Sequence, residues 1–345
     1  MNPSQPIMRV NNLTKTFAVP SSLFERARGI KPRAVKALTG VSLDLLRGET
    51  LGVVGESGCG KSTLARCLVR LYDADSGSLE YDGVNVLGLR GLELRNYNRR
   101  VQMVFQDPFS SLNPRMTVGQ VLREALLVHK LRSSVQVPAR IDELLDLVGL
   151  PRDAADRLPH EFSCGQRQRI GIARALSVEP ETLIADELVS ALDVSVQAQV
   201  VNLLLELQER LHLTVMFVAH DLRLVRHISH RVAVMYLGRI VELAPTEQLF
   251  SSPQHPYTQA LLRAAPELDP SRKTTLEAVH GELPSPLNPP PGCAFHPRCP
   301  QAFEPCKLEV PRLEPRGLDR RMSACFLHEA SKSEASKNDA SKNEA

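Results

Sequence analysis

The stretch Gly55-Glu-Ser-Gly-Cys-Gly-Lys-Ser-Thr63 holds the most specific chemistry in this chain. It fits the pattern G-x-x-x-x-G-K-[ST], in which glycines let backbone N–H groups turn toward phosphate oxygens. Gly55, Glu56, Ser57, Gly58, Cys59 and Gly60 make the loop, followed by Lys61, Ser62 and Thr63. Lys61 is the cation for the β- and γ-phosphates, and the Ser62 hydroxyl suits a magnesium ion. A helix starting at Lys61 adds the positive end of its dipole. The chemistry implied is ATP binding. A Gly-rich turn without function is the bland alternative, but an apolar run at Leu51–Val54 and helical spacing over Lys61–Leu71 give the loop a strand before it and a helix after it.

A second apolar run, Thr182–Ala185, ends in Asp186 and Glu187. Magnesium takes hard oxygen ligands, which fits Asp186, and Glu187 beside it suits a group that polarises an attacking water. Gln106 follows Val101–Phe105 and His220 follows Val215–Ala219 in the same way. Alone, each such residue is at least as often a strand cap. Together they share the carboxyl edge of an open parallel sheet, where ligands bind.

These residues need elements to hold them. Strands are expected at Arg9–Phe17, Ser42–Leu46, Leu51–Val54, Val101–Phe105, Thr182–Ala185 and Thr214–Ala219. Helices are expected at Lys61–Leu71, Val121–His129, Ile141–Val148, Gly165–Leu176 and Val196–Arg210, and Pro20–Arg33 reads as a loop or short helix. Strands alternating with helices imply an α/β fold with a parallel sheet. The 345 residues suit about two domains. A net charge of +3, scattered basic residues, no Trp and 4% aromatics argue against a nucleic-acid partner. No apolar stretch has the length of a membrane span, and Met1–Val10 lacks a secretory pattern, so a cytoplasmic protein is expected.

The order P-loop, Gln106, Phe162-Ser-Cys-Gly-Gln-Arg-Gln-Arg169, Asp186-Glu187, Ser190-Ala-Leu-Asp193 and His220 resembles an ABC-transporter ATPase over roughly 9–249. The resemblance implies a P-loop NTPase core at 1–250 with a helical subdomain at about 107–178. It makes Gln106 the Q-loop glutamine, a magnesium ligand with Ser62 and Asp186, and Glu187 and His220 its catalytic companions. Phe17 falls where the family stacks an aromatic on adenine. Two such domains enclose two ATPs, so Ser163, Gly165 and Gln166 are implied to touch a partner's nucleotide. Phe105–Pro114, Ala191–Gln199 and His255-Pro-Tyr-Thr258 are similar to oligopeptide/dipeptide permease ATPases, and Gln166–Arg169 and Met235–Glu242 to their F-type member. A heterodimer with a D-type subunit, two transmembrane permeases and an extracytoplasmic solute-binding protein are implied, at the cytoplasmic face of the inner membrane.

Composition shifts near Ser251, so a small C-terminal cysteine-containing extension is expected at 251–328, and the Ala-Ser-Lys repeats at 329–345 read as a disordered tail. Cys293, Cys299, Cys306 and Cys325 are spaced C-x5-C-x6-C-x18-C. In a reducing cytosol such a cluster suggests metal rather than disulfides. No close C-x-x-C pair favours a zinc ribbon, and four thiolates can hold a [4Fe–4S] cluster, which the resemblance also suggests; zinc or no metal stay open. Nothing in the sequence places this group near ATP.

Two other readings compete: a soluble ABC ATPase of repair or translation, and a nucleotide-binding regulator with little hydrolysis. The single P-loop counts against the first, and Lys61, Asp186, Glu187 and His220 count against the second. The regulator is motivated by Cys164, which stands where the signature has glycine, and by Leu188, where the family has proline. A side chain at Cys164 is expected to crowd the phosphate or to disfavour a special backbone conformation. Cys164→Gly is therefore expected to raise ATPase turnover of the assembled complex, and an unchanged rate overturns that expectation.

Overall fold

Runs of wholly buried residues at Thr50–Val54, Thr182–Asp186 and Thr214–Val218 require a sheet covered on both faces, as parallel strands do. The computed structural model describes residues 5–19, 33–107, 112–264, 281–315 and 321–327. The expected loop at 20–32, residues 108–111 of the Phe105–Pro114 stretch and the tail at 329–345 lie outside them.

The strands in chain order are β1 (Pro6–Ala18), β2 (Ala34–Leu46), β3 (Thr50–Val54), β4 (Ser76–Tyr81), β5 (Val84–Asn85), β6 (Val101–Val104), β7 (Thr182–Asp186), β8 (Thr214–Val218), β9 (Arg231–Tyr236), β10 (Arg239–Pro245), β11 (Glu314–Pro315) and β12 (Met322–Ser323). The helices are α1 (Lys61–Leu68), α2 (Gly91–Arg100), α3 (Val118–Val128), α4 (Val137–Leu147), α5 (Cys164–Leu176), α6 (Val194–Leu211), α7 (Leu222–Ile228), α8 (Thr246–Ser251), α9 (Pro256–Ala264) and α10 (Glu304–Leu308).

One sheet is antiparallel, in the order β2-β1-β4-β5. The other runs β11-β12-β10-β9-β3-β8-β7-β6, with β9, β3, β8, β7 and β6 parallel. Val54 faces Val234, Asp186 faces Val218 and Val104 faces Ala185, so the carboxyl ends of these strands share one edge. That edge is where Gly55, Gln106, Glu187 and His220 follow their strands. Adjacent residues of β8 point to opposite faces: Phe217 enters the core beneath the helices, and Met216 enters the core shared with the antiparallel sheet.

Apolar residues of α3, α4 and α5, among them Leu122, Leu126, Leu144, Leu145 and Ile170, are buried together. Thr117 and Gln120 start α3 with a reciprocal capping box. The two sheets are joined electrostatically as well. Arg100 makes a two-pronged pair with Glu181 at 2.6 and 2.8 Å and a further pair with Asp82, which also binds Arg47.

Several elements differ from expectation. β2 starts at Ala34, well before Ser42, because it pairs along the whole length of β1. α1 stops at Leu68, three residues short of Leu71. The β4–β5 and β9–β10 hairpins and α2 lie outside the expected elements: β5 has only two residues and α2 buries only Tyr97, whereas β9 and β10 are buried runs. In the C-terminal stretch, β12 extends the main sheet by pairing Ser323 with Glu242, and Phe295 joins the same core as Phe217. Phe217 is fully buried. Phe217→Ala is expected to cost about 3–5 kcal/mol of stability in urea denaturation.

Candidate functional site

The strand–loop–helix unit is built by local chemistry. β3 leads into the loop, and Gly60 caps α1 with a left-handed backbone at φ 107°. A Cβ there would stand 2.4 Å from the Ala37 carbonyl oxygen, so only glycine fits. Lys61 is 4% exposed. Its ammonium donates to the carbonyls of Gly55 at 2.7 Å and Glu56 at 3.1 Å, and lies 3.8 Å from the Cys59 sulfur. Burial pushes the Cys59 thiol up, so it stays protonated and packs as a small apolar group. Ser57 and Gly58 at the tip of the loop are exposed, whereas Ser62 and Thr63 are half-buried in the first turn of α1.

Ser62 donates its hydroxyl hydrogen to Asp186 at 2.8 Å. Asp186, at 2% exposure, ends β7. Burial pushes its carboxyl up, and the Ser62 hydrogen bond and the charges of Arg66 and Lys61 only partly oppose this. Two hard oxygens, the Ser62 hydroxyl and the buried Asp186 carboxylate, thus stand together where a cation is favoured. That donor set fits a magnesium ion, which keeps several waters and takes phosphate oxygens as further ligands.

Glu187 follows with a left-handed backbone, φ 47°, and its N–H donates to the Val218 carbonyl at 2.9 Å. Such a conformation in a non-glycine residue is strained and persists where neighbours impose it. Glu187, Ser190 and His220 line one small cleft with Gln197 and Asp221. Ser190 donates to the Glu187 carbonyl at 3.0 Å and accepts from Gln106 Nε2 at 3.3 Å. Gln106, Glu187 and His220, expected from three separate strand ends, are thus brought together. The Gln106 strand is also tied to α5, because buried Gln168 donates to the Phe105 carbonyl at 3.2 Å.

Phe17 lies on β1 with its ring edge-on to Tyr72 at 5.3 Å. Lys15 and Arg66 stand over these two rings at 5.5 and 5.8 Å. Tyr72 escaped sequence reasoning because no motif marks it.

Ser163 and Gln166 start α5 with a reciprocal capping box at 3.0 and 3.3 Å, and Ser163 is exposed. Gly165 is buried, and a Cβ on it would meet the Val196 methyl at 2.4 Å, so close packing of α6 also explains this glycine. Cys164 is the first residue of α5 and has no left-handed backbone, so that part of the case against it falls away, leaving its bulk. Leu188, where the family has proline, is 1% exposed in the core.

Residues 38–190 match the ABC transporter family, and residues 241–306 match the oligopeptide/dipeptide transporter C-terminal region. A probable peptide ABC transporter ATP-binding protein of Sinorhizobium fredii is 52% identical across 93% of this chain and 90% of its own length. The chain belongs to the ABC transporter ATP-binding proteins, in the oligopeptide/dipeptide branch. An oligopeptide transport ATP-binding protein of Bacillus subtilis is 49% identical over 94% of this chain and 98% of its own. Among solved structures, cbiO1 of Clostridium perfringens, part of an ABC transporter complex, aligns with TM-score 0.61 at 26% identity over 72% of this chain and 92% of its own. A dimeric bacterial ABC transporter cassette aligns with TM-score 0.60 at 28% identity over 69% and 98%. This ABC transporter ATP-binding protein is an ATPase, with the expected α/β cassette fold.

The iron–sulfur expectation is corrected. Among the described residues, no group of three or more His, Cys, Asp or Glu side chains is placed to hold a metal ion. Cys293 and Cys299 pack against the main core as apolar side chains, and Cys306 and Cys325 are buried. Burial pushes the Cys293 and Cys299 thiols up, and Cys325 up to about 11. The expected heterodimer is likewise unsupported: the relatives' names identify ATP-binding proteins and no second type of ATPase subunit. Among the described residues no helix is long and apolar enough to cross a membrane.

Asp186 titrates higher in the folded protein than in the unfolded chain, so its ionised form costs stability above that raised value and costs nothing below about pH 4. Asp186→Asn is expected to raise the melting midpoint of the nucleotide-free protein at neutral pH. The gain should vanish as pH falls to about 4, as checked by thermal melts across pH.

Proposed function

We propose that this chain energises a di-/oligopeptide importer from the cytoplasmic face of the cell membrane. The observation that carries this reading is the match of residues 241–306 to the oligopeptide/dipeptide transporter C-terminal region, alongside relatives named for peptide import. Two permease subunits and an extracytoplasmic solute-binding protein complete the importer. A second ATPase subunit closes the ATP sandwich, its signature facing this chain's P-loop.

Within that reading each site residue has a task. Lys61 gives up the loop carbonyls and pairs with the β- and γ-phosphates, and the N–H groups of Gly58–Thr63 surround them. Ser62, Asp186 and Gln106 would hold magnesium, which supplies charge neutralisation on the phosphates when bound. Glu187 accepts a proton-side hydrogen bond from the attacking water and orients it in line, and His220 donates toward the γ-phosphate from across the same cleft. Phe17, with Tyr72, offers a ring face to adenine. Ser163, Gly165 and Gln166 present a hydroxyl and a helix N-terminus to the partner's γ-phosphate. Ser163 and Gln166 satisfy each other, so engaging the partner's nucleotide exchanges one set of hydrogen bonds for another. Gln106 joins the cleft to the helical region through Ser190, a path by which the nucleotide state reaches the permeases.

The test is reconstitution in vesicles with the permeases and binding protein. Uptake of a labelled tripeptide should require ATP. Glu187→Gln should lower turnover by about 100-fold or more while nucleotide binding persists. Wild-type turnover in that variant, or absence of peptide uptake by the wild type, overturns the reading.

A further inference from the structure

Glu56, inside the phosphate loop, is held by residues far along the chain. The Arg298 guanidinium donates two parallel hydrogen bonds to its carboxylate, Nη1 to Oε2 at 2.7 Å and Nη2 to Oε1 at 3.0 Å. The Arg298 side chain is only 5% exposed, against 26% for Glu56. Nη1 also reaches the Tyr236 hydroxyl at 3.4 Å. The carboxylate beside it pushes the guanidinium's pKa further up, so the charge is permanent. The backbone of the same residue is held too: Glu56 N–H donates to the Tyr257 hydroxyl at 2.9 Å. Tyr257 is fully buried, and burial raises its pKa, which keeps the hydroxyl protonated.

The support behind these contacts is packed into the core. Arg298 closes a short turn between Cys293 and Cys299. In that turn, the Phe295 ring packs against Tyr236, Tyr257 and His255 at 5.3, 5.4 and 5.9 Å. Tyr257 is anchored in turn, because the buried Glu242 carboxylate accepts the N–H groups of Gln254 and His255, each at 2.8 Å.

We propose that Arg298 and Tyr257 are positioning residues for nucleotide binding, acting through Glu56. The inference rests on the reading of Gly55–Thr63 as the cradle of ATP phosphates. Glu56 is an anion beside the site of a more highly charged anion. A bidentate guanidinium cancels its charge and fixes its direction. Lys61 donates to the carbonyls of Gly55 and Glu56, so the Glu56 peptide also sets where that ammonium waits. A loop held in shape before the nucleotide arrives loses less entropy on binding it, and this gain appears in affinity rather than in the chemical step.

The experiment measures Kd for a fluorescent ATP analogue, and KM and kcat of the assembled complex, for wild type, Arg298→Met, Arg298→Lys and the double variant Arg298→Met with Glu56→Gln. Arg298→Met should raise Kd and KM about tenfold, about 1.4 kcal/mol, with kcat within about twofold. Arg298→Lys keeps the charge but loses the fork, so a shift of about threefold is expected. The double variant removes both charges but not the loss of the fork, and should recover part of the lost affinity. If circular dichroism shows Arg298→Met unfolded, Arg298→Lys decides. Unchanged KM and Kd, a fall in kcat at constant KM, or no recovery in the double variant overturns the proposal. A wild-type complex that neither binds nor hydrolyses ATP overturns the underlying reading, and this one with it.

Discussion

A buried ammonium needs a partner, and at Lys61 the partner is the loop that surrounds it. With 4% exposure, its charge rests on backbone carbonyls of Gly55 and Glu56. Carbonyl dipoles stabilise a cation less than an anion does, so the arrangement is provisional and favours any phosphate that reaches it. The rest of the fold keeps this arrangement in place. The parallel sheet buries β3 on both faces and fixes where the loop begins. Gly60 turns the chain into α1, and Asp186 stands across from it on the next strand but one.

Charge elsewhere is settled differently. The Arg47, Asp82, Arg100 and Glu181 cluster joins the two sheets with paired ions, leaving little for a ligand to gain. The cleft instead holds a carboxylate raised by burial at Asp186 and a left-handed backbone at Glu187. A carboxylate raised by burial and a left-handed backbone, adjacent at the ligand-facing edge of the sheet, suit a site that is completed by ligand.

Much of this was legible in sequence because it is local. The P-loop is contiguous, and Gln106, Asp186 and His220 each end an apolar run, so the strand ends could be read without knowing their order in the sheet. What the sequence hid was long-range or geometric. The extent of β2 depends on its pairing with β1, and short strands such as β5 have no periodicity to read. Arg298 lies 242 residues from Glu56, and nothing local marks it as part of the phosphate loop's surroundings. The four late cysteines failed as a metal site for the same reason: spacing gives ligand type, whereas burial and placement decide whether thiols act as ligands or as apolar filler. Leu188 and Cys164 looked anomalous against a motif, yet one fills the core and the other starts a helix.

The pairing of β12 with β10 has a consequence for how the molecule is made. Until residue 323 has been synthesised, β10 presents a row of open hydrogen-bonding groups at the edge of the main sheet. Such an edge recruits strands from other chains. In the finished molecule the two-residue β12 covers part of it, and β11, ending in Pro315, which has no N–H to offer, lies outermost. The C-terminal stretch thus works as a partial stopper, shortening an edge that the nascent chain leaves open until residue 323 is made.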